Sequence, residues 1–333
     1  MELRTLILNK VNPNSYYKFI LGEESGNIVC PFHKDKNPSL HIRVDGSAQC
    51  FGCNKKWRNV IEFDQEYHKS TLQKTLYYLF NNFVDPIINR SRYMAYYNNM
   101  KPNTKAYKWL IDRGIGASTI QRFLIGYNAD INKITLPIFN EWGFCVNIRL
   151  FRFQDDSPWK VINFKKGYGK PRLFPYNSLF HKEIFVFEGE MDTLLAIHLG
   201  LNAVTVTAGA QGWRKEFTPH FKDKIVYVCM DNDPAGLAGS KNVVKELKGI
   251  ATKLYNIIIP EKYGKDFTDF IKQRPIESFL NLVDRTREIV KPITADYDRI
   301  KEMEDFSQEE RMIVELKPGK NLLHIILKIT PDE

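Results

Sequence analysis

Two short acidic segments each follow an apolar run that has the composition of a buried strand. Glu188 comes directly after residues 184–187. Asp231 and Asp233 come soon after a second run, residues 225–228. Carboxylates that crowd at the ends of buried strands repel one another and lose hydration, so they oppose folding unless a cation neutralises them. Since magnesium and manganese prefer carboxylate oxygens, these segments predict a divalent-cation site suited to phosphoryl chemistry.

The chain around these acids alternates between strand and helix patterns. Strand candidates lie at 184–187, 203–207, 225–230 and 254–259, and helix candidates lie at 190–199, 234–249 and about 268–283. Such alternation predicts a parallel sheet flanked by helices, and sites on these sheets lie beyond the carboxyl ends of the strands. A third acidic segment, with Asp266 and Asp269, follows the last strand candidate and would reach the same edge. Glu190 and Asp269 are more typical of solvated loop carboxylates.

Four potential zinc ligands form two pairs near the N-terminus, Cys30 with His33 and Cys50 with Cys53. A gap of two residues lets both members of a pair reach one ion, and sixteen residues separate the pairs, as in zinc ribbons. Because all four positions of a tetrahedron are filled, we expect one structural Zn²⁺ ion. His41 could replace His33 as a ligand, but it lies in an alternating strand pattern that favours a half-exposed position.

The composition favours a soluble chain with a polyanionic partner. Of 333 residues, 43% are hydrophobic and 26% are charged, and the formal net charge is +9. No apolar run approaches the roughly 20 residues of a membrane span, and the N-terminus has no signal-peptide pattern. Five cysteines, an odd number, argue against a disulfide framework. We therefore expect a cytoplasmic protein with no membrane partner.

Basic side chains accompany the chemistry-bearing residues in two regions. Near the zinc ligands they alternate with aromatic rings, and together these groups suit unpaired bases and phosphates. The basic residues there are Lys34, Lys36, Arg43, Lys55, Lys56 and Arg58, and the rings are Phe32, Phe51 and Trp57. Alternatively, the rings form the core of a small domain. A second region could hold a polyanion, and its members are Arg149, Arg152, Lys160, Lys165, Lys166, Lys170 and Arg172. For Lys165, Lys166 and Lys170 the alternative is a solvated basic face.

The combined motifs resemble a known family. Glu-Gly-x-x-Asp, from Glu188 to Asp192, and Asp-x-Asp-x-x-Gly, from Asp231 to Gly236, resemble the Toprim domain of primases, topoisomerases and some nucleases. The paired zinc ligands are similar to the zinc-binding domain of DnaG-type DNA primases. Segments similar to the amino-terminal polymerase subdomain of these primases lie between them, at 113–115, 119–120, 123, 126–127, 136–138 and 159–163. The compact length resembles phage or mobile-element versions.

The resemblance and the composition together predict a multidomain α/β fold. Its predicted parts are a zinc ribbon at 1–85, a linker at 86–103, a mixed α+β primase polymerase subdomain at 104–180, a Toprim α/β domain at 181–289 and a C-terminal extension without an assigned role at 290–333. We expect the Toprim domain to contain a mainly parallel sheet with helices on its faces.

The resemblance implies the synthesis of short RNA primers on single-stranded DNA during DNA replication, by two-metal nucleotidyl transfer. The implied catalytic residues are Glu188, Asp192, Asp231 and Asp233, and the implied Mg²⁺ or Mn²⁺ ligands are Glu188, Asp231, Asp233 and Asp266. Glu188 is either a ligand or a proton-handling group, with Asp192 in support. Many bacterial primases have one residue between the last two acids, where this chain has two. Either Asp266 or Asp269 could therefore bind metal, and we expect Asp266.

The same resemblance assigns Arg149, Arg152 and Lys160 to template or nucleotide binding, because they match the basic ridge of the family. The implied partners are single-stranded DNA, ribonucleoside triphosphates and a replicative helicase, in the bacterial host cytoplasm if a phage encodes the chain. Two alternatives use the same residues. A Toprim nuclease would activate water instead of a ribose hydroxyl, and a non-catalytic single-strand binding or loading factor would have lost the activity.

Overall fold

The computed structural model of the chain describes residues 2–22, 26–154 and 160–289, and the predicted extension at 290–333 lies outside them. The N-terminal module begins with the helices α1 (Leu3–Lys10) and α2 (Pro13–Leu21). Asn12 caps α2 by accepting a hydrogen bond from the backbone N–H of Ser15, and Gly22 ends this helix in the left-handed region. Next come the strands β1 (Gly26–Ile28), β2 (Leu40–Ile42), β3 (Ala48–Cys50) and β4 (Lys56–Trp57), and the helices α3 (Val60–Tyr67) and α4 (Leu72–Leu79).

The four short strands of this module form one antiparallel sheet in the order β1-β2-β3-β4. Tyr16, Tyr17 and Phe63 are fully buried beside it, with their rings packed edge to face. A sheet of such short strands has little core of its own, so the helices and the aromatic rings supply most of the buried apolar surface.

A mixed region follows, in which a second antiparallel sheet packs against helices. Its helices are α5 (Arg90–Asn99), α6 (Lys105–Asp112) and α7 (Ala117–Arg122), and its strands are β5 (Gly126–Asn128), β6 (Lys133–Phe139), β7 (Cys145–Phe151) and β8 (Val161–Asn163). These strands pair in the order β5-β6-β7-β8. The segment predicted as a linker contains α5, which packs directly against β5.

Strands and helices alternate in the remainder of the described chain. The strands are β9 (Leu173–Phe174), β10 (Glu183–Phe187), β11 (Ala203–Val206), β12 (Ile225–Cys229) and β13 (Lys253–Asn256), and the helices are α8 (Glu190–His198), α9 (Pro234–Leu247), α10 (Phe267–Gln273) and α11 (Ile276–Arg285). They form a five-stranded sheet in the order β13-β12-β10-β11-β9. Among these strands only β9 runs antiparallel to its neighbour, so the predicted mainly parallel sheet is confirmed.

The last predicted helix, at about 268–283, is in fact two helices. α10 ends before Arg274, whose backbone is extended at φ −141° and ψ 142°, and α11 begins after Pro275. Proline disfavours helical geometry at the residue before it and lacks the N–H that a continuous helix needs, so the break falls there. Phe267 and Phe279, one from each helix, pack together with 4.8 Å between their ring centroids.

The two larger sheets share one hydrophobic core. Leu136 and Phe151 of the antiparallel sheet belong to the same buried cluster as Phe187 and Leu194 of the parallel-sheet region. β7 also contributes Val146 to the core of the N-terminal module. The three regions are therefore parts of one compact unit, residues 1–289. None of the described helices has both the length and the apolar character needed to cross a membrane.

Gly126 allows α5 to lie close on β5. An added Cβ would be 2.5 Å from the carbonyl carbon of Tyr96 and 2.6 Å from the backbone nitrogen of Tyr97. We expect Gly126→Ala to lower the free energy of unfolding by about 1–3 kcal/mol, measured by urea denaturation, because backbone atoms must move to admit the methyl group. Gly189→Ala is the matched control, since no atom would lie within 4 Å of its Cβ. Equal stabilities of the two variants would contradict the close packing.

Candidate functional site

Two adjacent strand ends bring the first pair of acids together. β10 and β12 are parallel and pair in register as far as Phe187 and Cys229. Glu188 follows one strand and Asp231 the other, and the backbone N–H of Asp231 donates to Glu188 Oε2 at 3.3 Å. A Cβ at Gly236 would lie 2.2 Å from the carbonyl oxygen of Asp231 and 2.7 Å from Glu188 Oε2. Glycine is required there because no side chain fits between these groups.

Helix N-termini position two further acids. Asp233 caps α9, with Oδ1 accepting hydrogen bonds from the backbone N–H groups of Ala235 and Gly236 at 3.0 and 2.9 Å. Asp266 caps α10, with Oδ1 accepting from the backbone N–H of Asp269 at 2.7 Å. The positive ends of the two helices stabilise these carboxylates. In both residues the second oxygen, Oδ2, takes no part in the cap and can serve another partner.

Asp192 fixes α8 against the start of α10. Its Oδ1 accepts hydrogen bonds from the backbone N–H and the hydroxyl of Thr268 at 3.0 and 2.5 Å. Burial raises the pKa of Asp192, while the guanidinium of Arg113 acts in the opposite direction. Arg113 was not predicted as a site residue, and its only sequence signal was the primase-like segment that begins with it. We call Glu188, Asp192, Asp231, Asp233 and Asp266 the acidic rim.

Burial, together with repulsion between neighbouring carboxylates, raises the pKa values of Glu188, Asp192 and Asp231. Burial, followed by the charges of Glu188, Asp192 and Asp266, raises the pKa of Asp231 from 3.8 to about 7. Lys265 opposes this shift, with Nζ 3.7 Å from Asp231 Oδ2. Burial is also the largest cause of the raised pKa of Glu188. A divalent cation would relieve both desolvation and repulsion, so this set of oxygen donors fits Mg²⁺ or Mn²⁺.

The third acidic segment offered two candidate ligands, and Asp266 is the one that influences the acidic rim. Its charge raises the pKa of two other rim carboxylates. Asp269 folds back on its own loop instead, with Oδ2 accepting a hydrogen bond from the backbone N–H of Lys265 at 3.3 Å. A Cβ at Gly264 would lie 2.3 Å from the Cβ of Asp269, which marks how tightly this loop is closed. The arrangement favours Asp266 as the predicted ligand.

Glu190 is not the solvated loop carboxylate that the sequence led us to expect. Its side chain is only 6% exposed and accepts a hydrogen bond from Arg149 Nε at 2.7 Å. Arg149 also donates to Asn163 Oδ1 at 2.7 Å, and the amide of Asn147 donates to the same oxygen at 2.8 Å. Burial raises the pKa of Glu190, and Arg149 opposes this. The expectation failed because the partner lies on β7, 41 residues earlier in the chain.

The predicted contact of Arg149 with template or nucleotide competes with this ion pair. Its side chain is 9% exposed and already bonded to Glu190 and Asn163. Lys160 is exposed and Arg152 is half-buried, and the backbone N–H of Arg152 donates to the carbonyl oxygen of Lys160 at 2.9 Å. Of the three predicted basic residues, Lys160 is the most exposed, and Arg152 is more accessible to solvent than Arg149.

The four predicted zinc ligands converge. One potential ligand atom from each of Cys30, His33, Cys50 and Cys53 lies within 4.8 Å of the others. Tetrahedral zinc with sulfur bonds of about 2.3 Å separates its ligands by about 3.8 Å, so the cluster needs only small adjustments to enclose the ion. The alternative ligand His41 lies on β2, where its Nδ1 is 3.1 Å from a side-chain oxygen of β1. These four residues therefore form a structural zinc site.

The zinc site favours a thiolate at Cys50. Burial is the largest influence on its pKa and raises it, but the contacts of its sulfur with Ser39 and with Cys53 bring the pKa down to about 6. The backbone N–H of Cys53 is 3.3 Å from Cys50 Sγ. Because the thiolate is the form that binds zinc, the lowered pKa of Cys50 favours zinc binding.

The aromatic rings of the N-terminal module divide between core and surface. Trp57 is 3% exposed and stacks on Phe32 with 4.7 Å between the ring centroids, and both rings touch Phe63. The alternative interpretation, in which the rings form a small core, is correct for these two. Phe51, between the second pair of zinc ligands, is 62% exposed. It is the ring of the predicted set that could stack on an unpaired base.

The fold and site define a class of protein in which a zinc ribbon is joined to a parallel sheet with an acidic rim at the carboxyl ends of its strands. Residues 21–90 match the CHC2 zinc finger family, and residues 185–271 match the Toprim-like family. The DNA primase of Clostridium acetobutylicum is 25% identical to this chain, over 92% of the chain and 60% of the relative. The DNA primase of Lactococcus lactis is 25% identical to this chain, over 72% of the chain and 48% of the relative.

The chain spans about half to three-fifths of the length of these curated relatives, at 48% and 60%. Two solved structures are also similar. The zinc-binding and RNA polymerase domains of Aquifex aeolicus primase give a TM-score of 0.49 at 20% identity, covering 87% of this chain and 86% of that chain. The primase fragment of the bacteriophage T7 primase-helicase gives a TM-score of 0.49 at 18% identity, covering 77% of this chain and 98% of that chain. The two family matches and the primase relatives confirm the predicted resemblance to DnaG-type primases.

The raised pKa of Asp231 predicts a pH-dependent stability in the absence of magnesium. Because this pKa rises from 3.8 to about 7 on folding, the folded chain keeps the proton to a higher pH than the unfolded chain does. The associated stability is fully present below about pH 4 and is lost as the pH rises through about 7. Between pH 5 and pH 8 we expect the free energy of unfolding of the wild type to fall by about 1–3 kcal/mol more than that of Asp231→Asn. Urea denaturation in magnesium-free buffer measures this difference.

The matched control for this measurement is Asp284→Asn, which changes an exposed aspartate of α11. Its stability should follow that of the wild type at every pH. Magnesium added at pH 8 should stabilise the wild type more than it stabilises Asp231→Asn. Parallel pH curves for the wild type and Asp231→Asn would show that the rim carboxylates do not repel one another as described.

The buried Arg149–Glu190 ion pair predicts that replacing one partner lowers the free energy of unfolding strongly, whereas replacing both partners lowers it only slightly. We expect Arg149→Met alone to destabilise the chain by about 3–5 kcal/mol, since Glu190 would be left buried without its partner. The double variant Arg149→Met with Glu190→Met should recover most of this loss, measured by urea denaturation. Arg58→Met is the control, because Arg58 pairs with Glu62 while 84% exposed. It should cost at most about 1 kcal/mol. Additive losses in the double variant would contradict this account.

Proposed function

We propose that this chain synthesises short RNA primers on a single-stranded DNA template during DNA replication. The observation that carries the proposal is the acidic rim, in which Glu188 and Asp231 meet at adjacent strand ends of a Toprim-like sheet. The zinc ribbon in the same compact unit and the primase relatives matched over 92% of the chain support it. The substrates are then ribonucleoside triphosphates, selected by a DNA template strand.

The residues that would hold Mg²⁺ or Mn²⁺ are Glu188, Asp231, Asp233 and Asp266. When bound, the ions would stabilise the attacking and leaving oxygens of a displacement at the α-phosphate. The caps of α9 and α10 restrain the carboxylates of Asp233 and Asp266, so these side chains lose little freedom when they bind a cation. The raised pKa of Glu188 also suits its alternative role, in which a carboxylate oxygen takes up the proton of the primer 3′-hydroxyl.

The template would be held by basic groups and by an exposed ring. Lys160 and Arg152 lie together at the end of the β7–β8 pair, where they could bind phosphates. Phe51 projects from the zinc site and offers a stacking face to an unpaired base. The net charge of +9 favours the approach of a polyanionic strand. A replicative helicase as partner and a cytoplasmic location complete the proposal.

The decisive experiment separates synthesis from cleavage. The chain is incubated with single-stranded DNA templates of varied sequence and Mg²⁺, with and without labelled ribonucleotides. Short RNA products that require both nucleotides and template would support primase activity. Fragmentation of the DNA without nucleotides would favour the Toprim nuclease, since the same carboxylates can activate water. Binding to DNA with neither outcome would favour the non-catalytic single-strand binding or loading factor.

Substitutions at the acidic rim test which carboxylates act. We expect Asp231→Ala and Asp266→Ala each to lower primer synthesis more than about a hundredfold, because a lost metal ligand removes several kcal/mol of transition-state stabilisation. Asp269→Ala is the matched control, three residues from Asp266, and should retain synthesis within about tenfold. Thermal unfolding of each variant checks the fold. A larger loss in Asp269→Ala than in Asp266→Ala would reverse the assignment of the third acid.

A further inference from the structure

His33 presents one ring nitrogen to the other zinc ligands and the second ring nitrogen to a carboxylate. Its Nδ1 lies 3.9 Å from the Sγ of Cys50. Its Nε2 lies 3.6 Å from Oδ1 of Asp35, whose side chain is only 6% exposed. A histidine binds zinc through one ring nitrogen and commonly donates the N–H of the other to an oxygen. The geometry therefore points to Nδ1 as the zinc-binding atom and to Nε2 as the protonated one.

The second oxygen of Asp35 organises the chain that carries two other ligands. Oδ2 accepts hydrogen bonds from the backbone N–H of Cys30 at 2.9 Å and from the backbone N–H of Ser39 at 3.1 Å. It also accepts from the hydroxyl of Ser39 at 2.7 Å, and that hydroxyl lies 3.2 Å from Cys50 Sγ. One buried carboxylate is thus linked to three of the four zinc ligands.

Gly52 encloses the imidazole from the other pair of ligands. A Cβ at this position would lie 2.7 Å from His33 Nε2 and 2.8 Å from the hydroxyl of Ser39. The missing side chain lets the ring edge lie directly against the loop between Cys50 and Cys53. His33 is therefore held between this loop and Asp35, with Nδ1 near the sulfur of Cys50.

We propose that Asp35 is a positioning residue of the zinc site, which orients His33 through Nε2–H and organises the segment between the first ligand pair and Ser39. A carboxylate that accepts a hydrogen bond from the second nitrogen of a zinc-bound histidine raises the basicity of the ligating nitrogen and so strengthens its bond to zinc. The role concerns the zinc site alone, and it holds whether or not the chain makes primers.

The β2–β3 turn provides a matched comparison for Asp35. Asp45 accepts hydrogen bonds from the backbone N–H and the hydroxyl of Ser47 at 2.9 and 2.7 Å, as Asp35 does from Ser39, although the two residues of each pair are two apart in one case and four apart in the other. Asp45 is exposed and contacts none of the four zinc ligands through these bonds. A purely local role in shaping a turn would give Asp35→Asn and Asp45→Asn similar effects, whereas a role at the zinc site would separate them.

The test measures how tightly the full-length chain retains zinc. Zinc-loaded wild type, Asp35→Asn and Asp45→Asn are titrated with a chromogenic chelator under native conditions. We expect Asp35→Asn to hold zinc about 10–100-fold more weakly than the wild type, while Asp45→Asn matches the wild type. Superimposed curves for all three proteins would overturn the proposal.

A double-substitution cycle tests whether the effect passes through the imidazole. His33→Cys keeps four zinc ligands but removes the ring that Asp35 orients. The weakening of zinc binding caused by Asp35→Asn should fall to less than about threefold in the His33→Cys background, and an undiminished weakening would overturn the proposed route.

The protonation of the His33 ring can also be measured directly on the zinc-loaded wild type, without any variant. Nitrogen-15 NMR of His33 should show a protonated Nε2 and a metal-bound Nδ1, and the reverse assignment would refute the proposal.

Discussion

Repulsion between carboxylates at neighbouring strand ends is the interaction on which the rest of this structure depends. Parallel pairing of β10 with β12 places Glu188 beside Asp231, and partial burial makes their repulsion stronger than it would be in water. Gly236 permits the approach, and Lys265 offsets part of the charge. Burial and the neighbouring negative charges nevertheless raise the pKa of Asp231 to about 7. Relief of this repulsion therefore contributes to the free energy gained when a cation binds.

The chain neutralises buried charge in two different ways. At the acidic rim the carboxylates have helix caps and one lysine, which leaves an excess of negative charge for a metal ion to balance. Two residues from Glu188, the carboxylate of Glu190 is matched by a buried arginine and needs no ion. This difference separates a cation site from a structural ion pair within one short segment. Both residues are glutamates, so the groups that surround each carboxylate, and not the residue type, decide whether it belongs to a cation site or to an ion pair.

The sequence predicted the parts of the site whose members are close together in the chain. The strand before Glu188 and the two zinc-ligand pairs are local patterns, so spacing alone was sufficient. Contacts between residues far apart in the chain could not be predicted, because no local sequence pattern indicates them. The bonds of Asp192 to Thr268 span 76 residues, and the bond of Arg149 to Glu190 spans 41. Trp57 could not be assigned to core or surface until its contact with Phe32 was known.

β7 explains why a charged residue lies buried in the middle of this molecule. Every residue of this strand is buried, so its side chains have little access to solvent. Val146 packs into the core of the zinc-ribbon module, Ile148 and Leu150 pack with Ile88, and Phe151 packs with the parallel-sheet region, so the strand contributes to three different clusters. Arg149 lies on the face that meets α8, so its charge must be matched by a carboxylate from that helix. The ion pair with Glu190 therefore fixes the start of α8, and with it the position of Glu188, relative to the strand that also supports the zinc ribbon.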